Sequence, residues 1–167
     1  MRYAAITDRL AGLGGAKWEL HARAKTMQAN GQPVIQLTIG EPDVTTPPAL
    51  IAEAKRAIDA GRLGYSNGRG ERALLAALAE RYSRRTGRTI TTDQIVALPG
   101  TQTALYAVLL TLTGPGDEVL VGDPMYATYE GVIASTGAKI VPVPLRPEHG
   151  FRMQASDVAA RITPRSR

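Results

Sequence analysis

The sequence of 167 residues contains no cysteine, which excludes disulfides, thiolate metal sites and thiol catalysis. Bulky aromatics are scarce, with one Trp and one Phe, so a core has to be assembled from Leu, Ile, Val and Ala, and a hydrophobic content of 44% suffices for one. No apolar leader follows Met1 and no run is long enough to span a bilayer, so a soluble, reducing, cytoplasmic setting without a membrane partner is expected. The two histidines, His21 and His149, lie far apart without metal-spaced neighbours, and neither is assigned a role. Positive charge is plentiful: the net charge is +5 and the pI about 9.8. Seven arginines fall between Arg62 and Arg88, but they surround a helix whose apolar stripe is Leu74, Leu75, Leu78 and Tyr82. With few aromatics among them they read as a solvated helix face, not as a nucleic-acid surface.

The length suits one domain, or one with part of a second. Its organising stretch runs from Asp93 to Thr136. Gln94 to Leu98 is short and β-branched and stops at Pro99-Gly100. From Thr101, Ala104, Leu105, Val108, Leu109 and Leu112 take up helical spacing, and Gly114-Pro115-Gly116 ends that helix before a second strand from Glu118 to Val121. Parallel strands joined by a crossover helix place their carboxyl ends on one edge, where open α/β sheets bind ligands. The turns Gly100-Thr101-Gln102 and Asp123-Pro124-Met125-Tyr126 are therefore expected to face one crevice. The first suits a phosphate: Gly100 allows close backbone approach, the N–H groups of Thr101 and Gln102 open a helix, and Thr101 or Thr103 can add a hydroxyl. Tyr126 offers a ring for stacking on a planar heterocycle. A Gly-terminated strand followed by an ordinary helix start accounts for the same turn equally well.

Elsewhere, Ala16 to Asn30 reads as a helix closed by Gly31, with Trp18 as an anchor or a local packing residue. Val34 to Ile39 reads as a strand leading into Gly40-Glu41-Pro42-Asp43. Thr46-Pro47-Pro48 supplies an N-cap with Pro at the first helical position, and a helix runs from Pro48 to Ala60. The Gly-rich loop Gly64 to Gly70 opens a helix from Glu71 to Thr86, but a dinucleotide fingerprint requires a preceding strand that is not there. Tyr65 is the one residue of that loop with a hydrogen-bonding tip suited to function. Lys139 to Leu145 is a strand whose prolines put it near an edge or at a strand end, and Ser156 caps a short helix, Asp157 to Ile162. Three parallel strands leave a raw edge, so the sheet reads as incomplete.

Leu37-Thr38-Ile39-Gly40-Glu41-Pro42-Asp43 with Thr46-Pro47, Tyr65 and Gly70, and Gly100-Thr101-Gln102-Thr103-Ala104-Leu105 come in a telling order. Pro115-Gly116-Asp117-Glu118-Val119, Pro124-Met125-Tyr126 with Tyr129, Gly137, and Ile162-Thr163-Pro164-Arg165 continue it. Together these motifs resemble the N-terminal part of the class I/II, fold-type I, pyridoxal-phosphate-dependent aminotransferases. Met1-Arg2-Tyr3, Trp18 with His21, and Pro124 to Glu130 are similar to arginine–pyruvate transaminase-like members. The resemblance implies an α/β fold: an N-terminal arm and substrate-loop segment over residues 1–45, then the first part of the large cofactor domain over residues 46–167, with a parallel βαβαβ sheet left incomplete.

It also implies roles. Gly40 would give a backbone N–H to the substrate α-carboxylate, Thr101 and Gln102 at the Gly100 turn would hold the phosphate of pyridoxal 5′-phosphate, and Tyr126 would stack on its ring. Tyr65 would reach the phosphate bound by the neighbouring subunit of a homodimer. The reaction implied is transfer of an amino group from an amino acid to a 2-oxo acid. Family members hold the cofactor as a Schiff base on a lysine. Lys17, Lys25, Lys55 and Lys139 do not stand in that context, so this chain is expected to lack the catalytic lysine and to be inactive alone. Two other readings stay open on sequence grounds: a fold-type I lyase or synthase, and a truncated non-catalytic paralogue acting as an interaction module through Trp18 and the Tyr65 loop. A nucleotide-binding βαβ module fits less well, because Thr101-Gln102-Thr103-Ala104 supplies no phosphate-binding lysine.

Overall fold

The computed structural model describes residues 2–167; Met1, part of the opening motif, and the side chain of Lys17 lie outside the described residues. Its elements are α1 (Ala5–Leu10), α2 (Gly15–Ala29), α3 (Pro48–Asp59), α4 (Arg72–Thr86), α5 (Thr101–Leu112), β1 (Glu118–Asp123), α6 (Tyr129–Thr136), β2 (Lys139–Pro144) and α7 (Ala155–Ala159), with 3-10 turns at Thr92–Gln94 and Pro147–His149. They fall into two compact units, Met1–Thr38 with Thr101–Arg167, and Ile39–Gly100. No helix among the described residues is long and apolar enough to cross a membrane.

The first unit is built on the parallel pair of β1 and β2, which runs in register from Glu118 opposite Lys139 to Asp123 opposite Pro144. The N–H of Lys139 donates to Asp117 and that of Leu145 to Asp123, at 2.9 and 2.7 Å, so the odd positions of β2 face β1. Pro142 and Pro144 occupy even positions, where an N–H would point away from the sheet. Two residues without that donor cannot pair a further strand, so β2 is an edge by its own chemistry, as its prolines imply. Growth is possible only on the other side of β1. There the N–H of Glu118 donates to Arg165 and the N–H of Arg167 to Glu118, at 2.9 and 3.0 Å, and Glu118 forms an isolated parallel bridge with Ser166.

Both faces of the pair are covered, since Val143, opposite Gly122, lies on the face away from Val119, Val121 and Ile140. Val121, Ile133 and Ala138 are buried, with Leu109 of α5, Val119, Met125, Tyr129 and Ile140 packed around them. Val143 is fully enclosed, and such a side chain contributes about 1.5–3 kcal/mol over its exposed state. Gly137 closes α6 at φ +90°, and a Cβ there would lie 2.9 Å from Cγ of Pro115, so both conformation and space demand glycine. Helix α1 is tied to α6 by Arg9, whose guanidinium donates to the carbonyls of Ala134 and Ser135 at 3.2 and 2.9 Å in the last turn of α6, where the Ala134 carbonyl also accepts the N–H of Gly137. Helix α2 ends in a Schellman arrangement, with the N–H of Gln32 on Met27 and that of Gly31 on Gln28.

In the second unit α4 packs Leu75 and Ala79 inward, and α3 closes with the same C-terminal pattern, Arg62 on Ala57 and Gly61 on Ile58. Arg69, just before α4, fastens the segment on that helix's far side: its guanidinium donates to Asp93, to the carbonyl of Thr92 and to that of Ile95, at 3.1, 2.7 and 3.2 Å. Its carbonyl accepts the N–H of Ala97 at 2.8 Å.

Several expectations need correction. Val34–Ile39 and Gln94–Leu98 are not strands, since neither pairs with another segment; residues 92–94 form a 3-10 turn. The described sheet therefore has two strands. Pro47 takes the N-cap position of α3 in place of Thr46. Helix α7 begins at Ala155, so Ser156 lies inside it and Gln154 precedes it.

Candidate functional site

Helix α5 starts directly after Pro99-Gly100. Gly100 lies at φ +85°, where a side chain is disfavoured, and a Cβ there would meet nothing within 4 Å. Glycine is needed for the turn, and the space beside it is open. The first N–H groups of a helix have no acceptor within it, and the macrodipole adds partial positive charge at that end. Thr101, Gln102 and Thr103 are exposed, so two hydroxyls and an amide stand beside these N–H groups. Such a donor set suits an anion of several oxygens.

The second turn leaves β1 at Asp123, through a cis peptide to Pro124. Met125 packs into the core, while its neighbour Tyr126 is 61% exposed. The Tyr126 ring stands edge-on to Tyr129, with centroids 5.6 Å apart and planes at 64°, and its carbonyl accepts the N–H of Tyr129 at 3.1 Å. The half-buried Met125 holds the backbone and the edge contact holds the ring, leaving most of Tyr126 available to a flat ligand.

One contact joins the two turns. The side-chain amide of Gln102 donates to the hydroxyl of Thr128, which lies between Tyr126 and α6. The Thr101-Gln102 end of α5 thus meets the segment that follows Tyr126. No strand precedes α5 among the described residues, so this contact, and not parallel topology, brings the two turns together. Sequence reasoning does not single out Thr128; its only signal there is a hydroxyl two residues after the stacking tyrosine.

Gly40 and Tyr65 belong to the unit Ile39–Gly100. Gly40 is exposed, with nothing near a built Cβ, and the side chain of Tyr65 is fully exposed. The Gly-rich loop around Tyr65 is shaped from within: the Asn67 side-chain oxygen accepts the N–H groups of Arg69 and Gly70, both at 3.0 Å. A Cβ on Gly70 would come within 2.9 Å of the Ala97 side chain.

Other polar residues make local contacts away from this site. His21, given no role, meets Thr38 through Nδ1 at 2.8 Å and receives the Gln36 amide on the same atom at 2.9 Å. Trp18 is 61% exposed and stands edge-on to His21 with centroids 6.1 Å apart. Glu118 is buried and receives the Thr163 hydroxyl at 2.6 Å and the Arg165 guanidinium, whose Nε lies at 2.8 Å. Those hydrogen bonds, Thr163 first and then Arg165, hold its carboxyl below the usual range against the opposing effect of burial. Asp157 is lowered likewise, chiefly by the Arg146 guanidinium. No cluster of His, Cys, Asp or Glu among the described residues could hold a metal ion.

The sequence pattern of the family described as aminotransferase class I and II matches residues 32–167. The arginine–pyruvate transaminase of Pseudomonas aeruginosa is 48% identical over 167 residues, which is 100% of this chain and 42% of that protein. An aspartate/prephenate aminotransferase of Thermus thermophilus is 32% identical over 148 residues, 89% of this chain and 38% of that protein. Among solved structures, an aspartate aminotransferase of Thermus thermophilus superposes with a TM-score of 0.88 at 32% identity, covering 100% of this chain and 44% of its own. The alanine aminotransferase of Pyrococcus furiosus gives 0.89 at 28% identity, covering 99% and 42%. The chain thus spans about two fifths of the length of the curated relatives it matches. With this agreement in sequence and fold, the chain is a member of the class I and II aminotransferase family.

Proposed function

We propose that the full-length protein transfers an amino group from an amino acid to a 2-oxo acid using pyridoxal 5′-phosphate, and that this chain forms the phosphate and ring side of the cofactor site. The observation that carries this reading is the Gln102–Thr128 hydrogen bond, which puts an anion-accepting helix start and an exposed tyrosine ring on one sheet edge. The donor set fits a phosphate ester and the open ring fits a pyridine. When bound, the cofactor supplies an electron sink for the carbon that loses or gains the amino group.

The chain's own residues bind and orient. The N–H groups of Thr101 and Gln102 hold the phosphate, helped by a threonine hydroxyl. Tyr126 covers one face of the ring and keeps water from it. The N–H of Gly40 meets the substrate carboxylate. The exposed Tyr65 reaches the phosphate bound by a second subunit, so the active form is a homodimer in the cytoplasm. The identity of 48% to an arginine–pyruvate transaminase supports arginine as donor and pyruvate as acceptor.

The test is direct. Full-length protein is incubated with pyridoxal phosphate, pyruvate and single amino acids, and alanine formation is followed by chromatography. Alanine should appear with matching loss of the donor, fastest with arginine. No transfer from any amino acid to any 2-oxo acid would refute the reading, and transfer from another donor would correct the substrate.

A further inference from the structure

The cofactor reading leaves Thr128 unexplained, and its environment breaks a local rule. Thr128 holds the N-cap position of α6, where a threonine hydroxyl ordinarily accepts an N–H of its own helix and stabilises it. Here it makes no such bond. Its hydroxyl accepts the amide of Gln102 instead, from a helix that begins 27 residues earlier in the chain. Gln102 lies in the first turn of α5 beside the phosphate-facing N–H groups, and Thr128 lies two residues after the ring-facing Tyr126. Helices α5 and α6 also pack along each other, and Thr113 after α5 donates to Thr136 of α6 at 3.0 Å, but that bond lies at the ends away from the site. The Gln102–Thr128 bond fixes the ends that face it.

A cofactor whose phosphate and ring are covalently joined demands a fixed spacing between the groups that hold each part. A site already at that spacing avoids the cost of ordering on binding. From the Gln102–Thr128 bond we infer that Thr128 is a positioning residue, which sets the distance between the phosphate-binding turn and Tyr126 without itself touching the cofactor. This rests on the cofactor reading above.

The inference separates a linked ligand from an unlinked one. Pyridoxal has the ring but no phosphate, so it needs the Tyr126 turn and is indifferent to its spacing from α5. The full-length apoprotein is titrated with pyridoxal phosphate and with pyridoxal by absorbance and fluorescence. The variants are Thr128→Val, which keeps the shape and loses the hydroxyl, and Thr128→Ser, which keeps the hydroxyl. Thr128→Val should weaken pyridoxal phosphate about tenfold, the upper range for one hydrogen bond, and change pyridoxal less than about twofold. Thr128→Ser should restore the wild-type value within about twofold. In a Gln102→Leu background, Thr128→Val should cost nothing further. Equal loss for both ligands, equal loss in Val and Ser, or no loss in Val would each overturn the positioning role. Failure of the wild type to bind pyridoxal phosphate, or binding indifferent to both Thr101→Ala and Tyr126→Ala, would overturn the cofactor reading beneath it.

Discussion

Replacing Tyr126 by Ala in the full-length protein removes the ring assigned to the cofactor. Tyr126 is 61% exposed, and with about 200 Å² of buriable surface for an aromatic side chain that leaves roughly 120 Å² open. A stacked pyridine covers about half of it, worth roughly 1.5 kcal/mol at 25 cal/mol per Å². Offset stacking adds about 1 kcal/mol. The sum, about 2.5 kcal/mol, corresponds to roughly sixtyfold weaker retention of pyridoxal phosphate. Tyr126→Phe keeps ring and area and should stay within about twofold. Because Tyr126→Ala also removes the edge contact with Tyr129, thermal unfolding of the apoprotein serves as the control for lost packing. The assay is equilibrium dialysis of the holoenzyme with absorbance readout. Retention unchanged in Ala, or equal losses in Phe and Ala, would refute the stacking argument.

Three further outcomes concern the fold itself. Glu118→Gln weakens the tie to Thr163 and Arg165; because the folded carboxyl lies below its ordinary range, the wild-type contribution is complete above about pH 4.3 and is lost as pH falls through the lowered value. Amide exchange at Glu118 and Arg167, after correction for intrinsic rates, should show that acid step in the wild type and a weaker, pH-flat protection in the variant; an identical step in both would remove Glu118 from the explanation. Gly137→Ala forces a side chain into φ +90° against Pro115 and should cost about 2–3 kcal/mol in denaturant unfolding, whereas an unchanged midpoint would contradict the close contact. Ile133→Ala, at a site 3% exposed, should cost about 3 kcal/mol and Ile133→Val about 1 kcal/mol in the same assay, and near-equal effects would mean that the core relaxes around the vacancy.

The sequence made some features legible for reasons that survive in the structure. The spacing of Leu105, Leu109 and Leu112, the glycines after α2 and α3, and the prolines of β2 act locally, so they can be read without knowing their neighbours. A strand is different, because it exists only in a pair. Val34–Ile39 and Gln94–Leu98 have β-branched composition, yet no pairing segment lies beside them among the described residues, and composition could not reveal that. Helix α1 escapes sequence reading because its six residues carry no clear period; Arg9 ties it to carbonyls of α6 more than a hundred positions away. Glu118 and Arg165 are visible in the sequence only as parts of motifs, since their pairing spans 47 positions. In the candidate site, the Gly100 turn is readable because its chemistry is local. The strand expected before it is not formed, so parallel topology does not bring Thr101 and Gln102 to the Tyr126 turn, and the Gln102–Thr128 bond makes that contact. Thr128 is not readable, because its hydroxyl serves a partner 26 positions away in place of its own helix.

The most direct measurement is a crystal structure of the full-length protein with pyridoxal phosphate. The phosphate should sit within hydrogen-bond distance of the N–H groups of Thr101 and Gln102, with the pyridine ring parallel to Tyr126 and the Gln102–Thr128 bond intact. A phosphate held elsewhere, for example by Arg69 and Arg72 at the Asn67 loop, or a ring that does not meet Tyr126, would contradict the assignment.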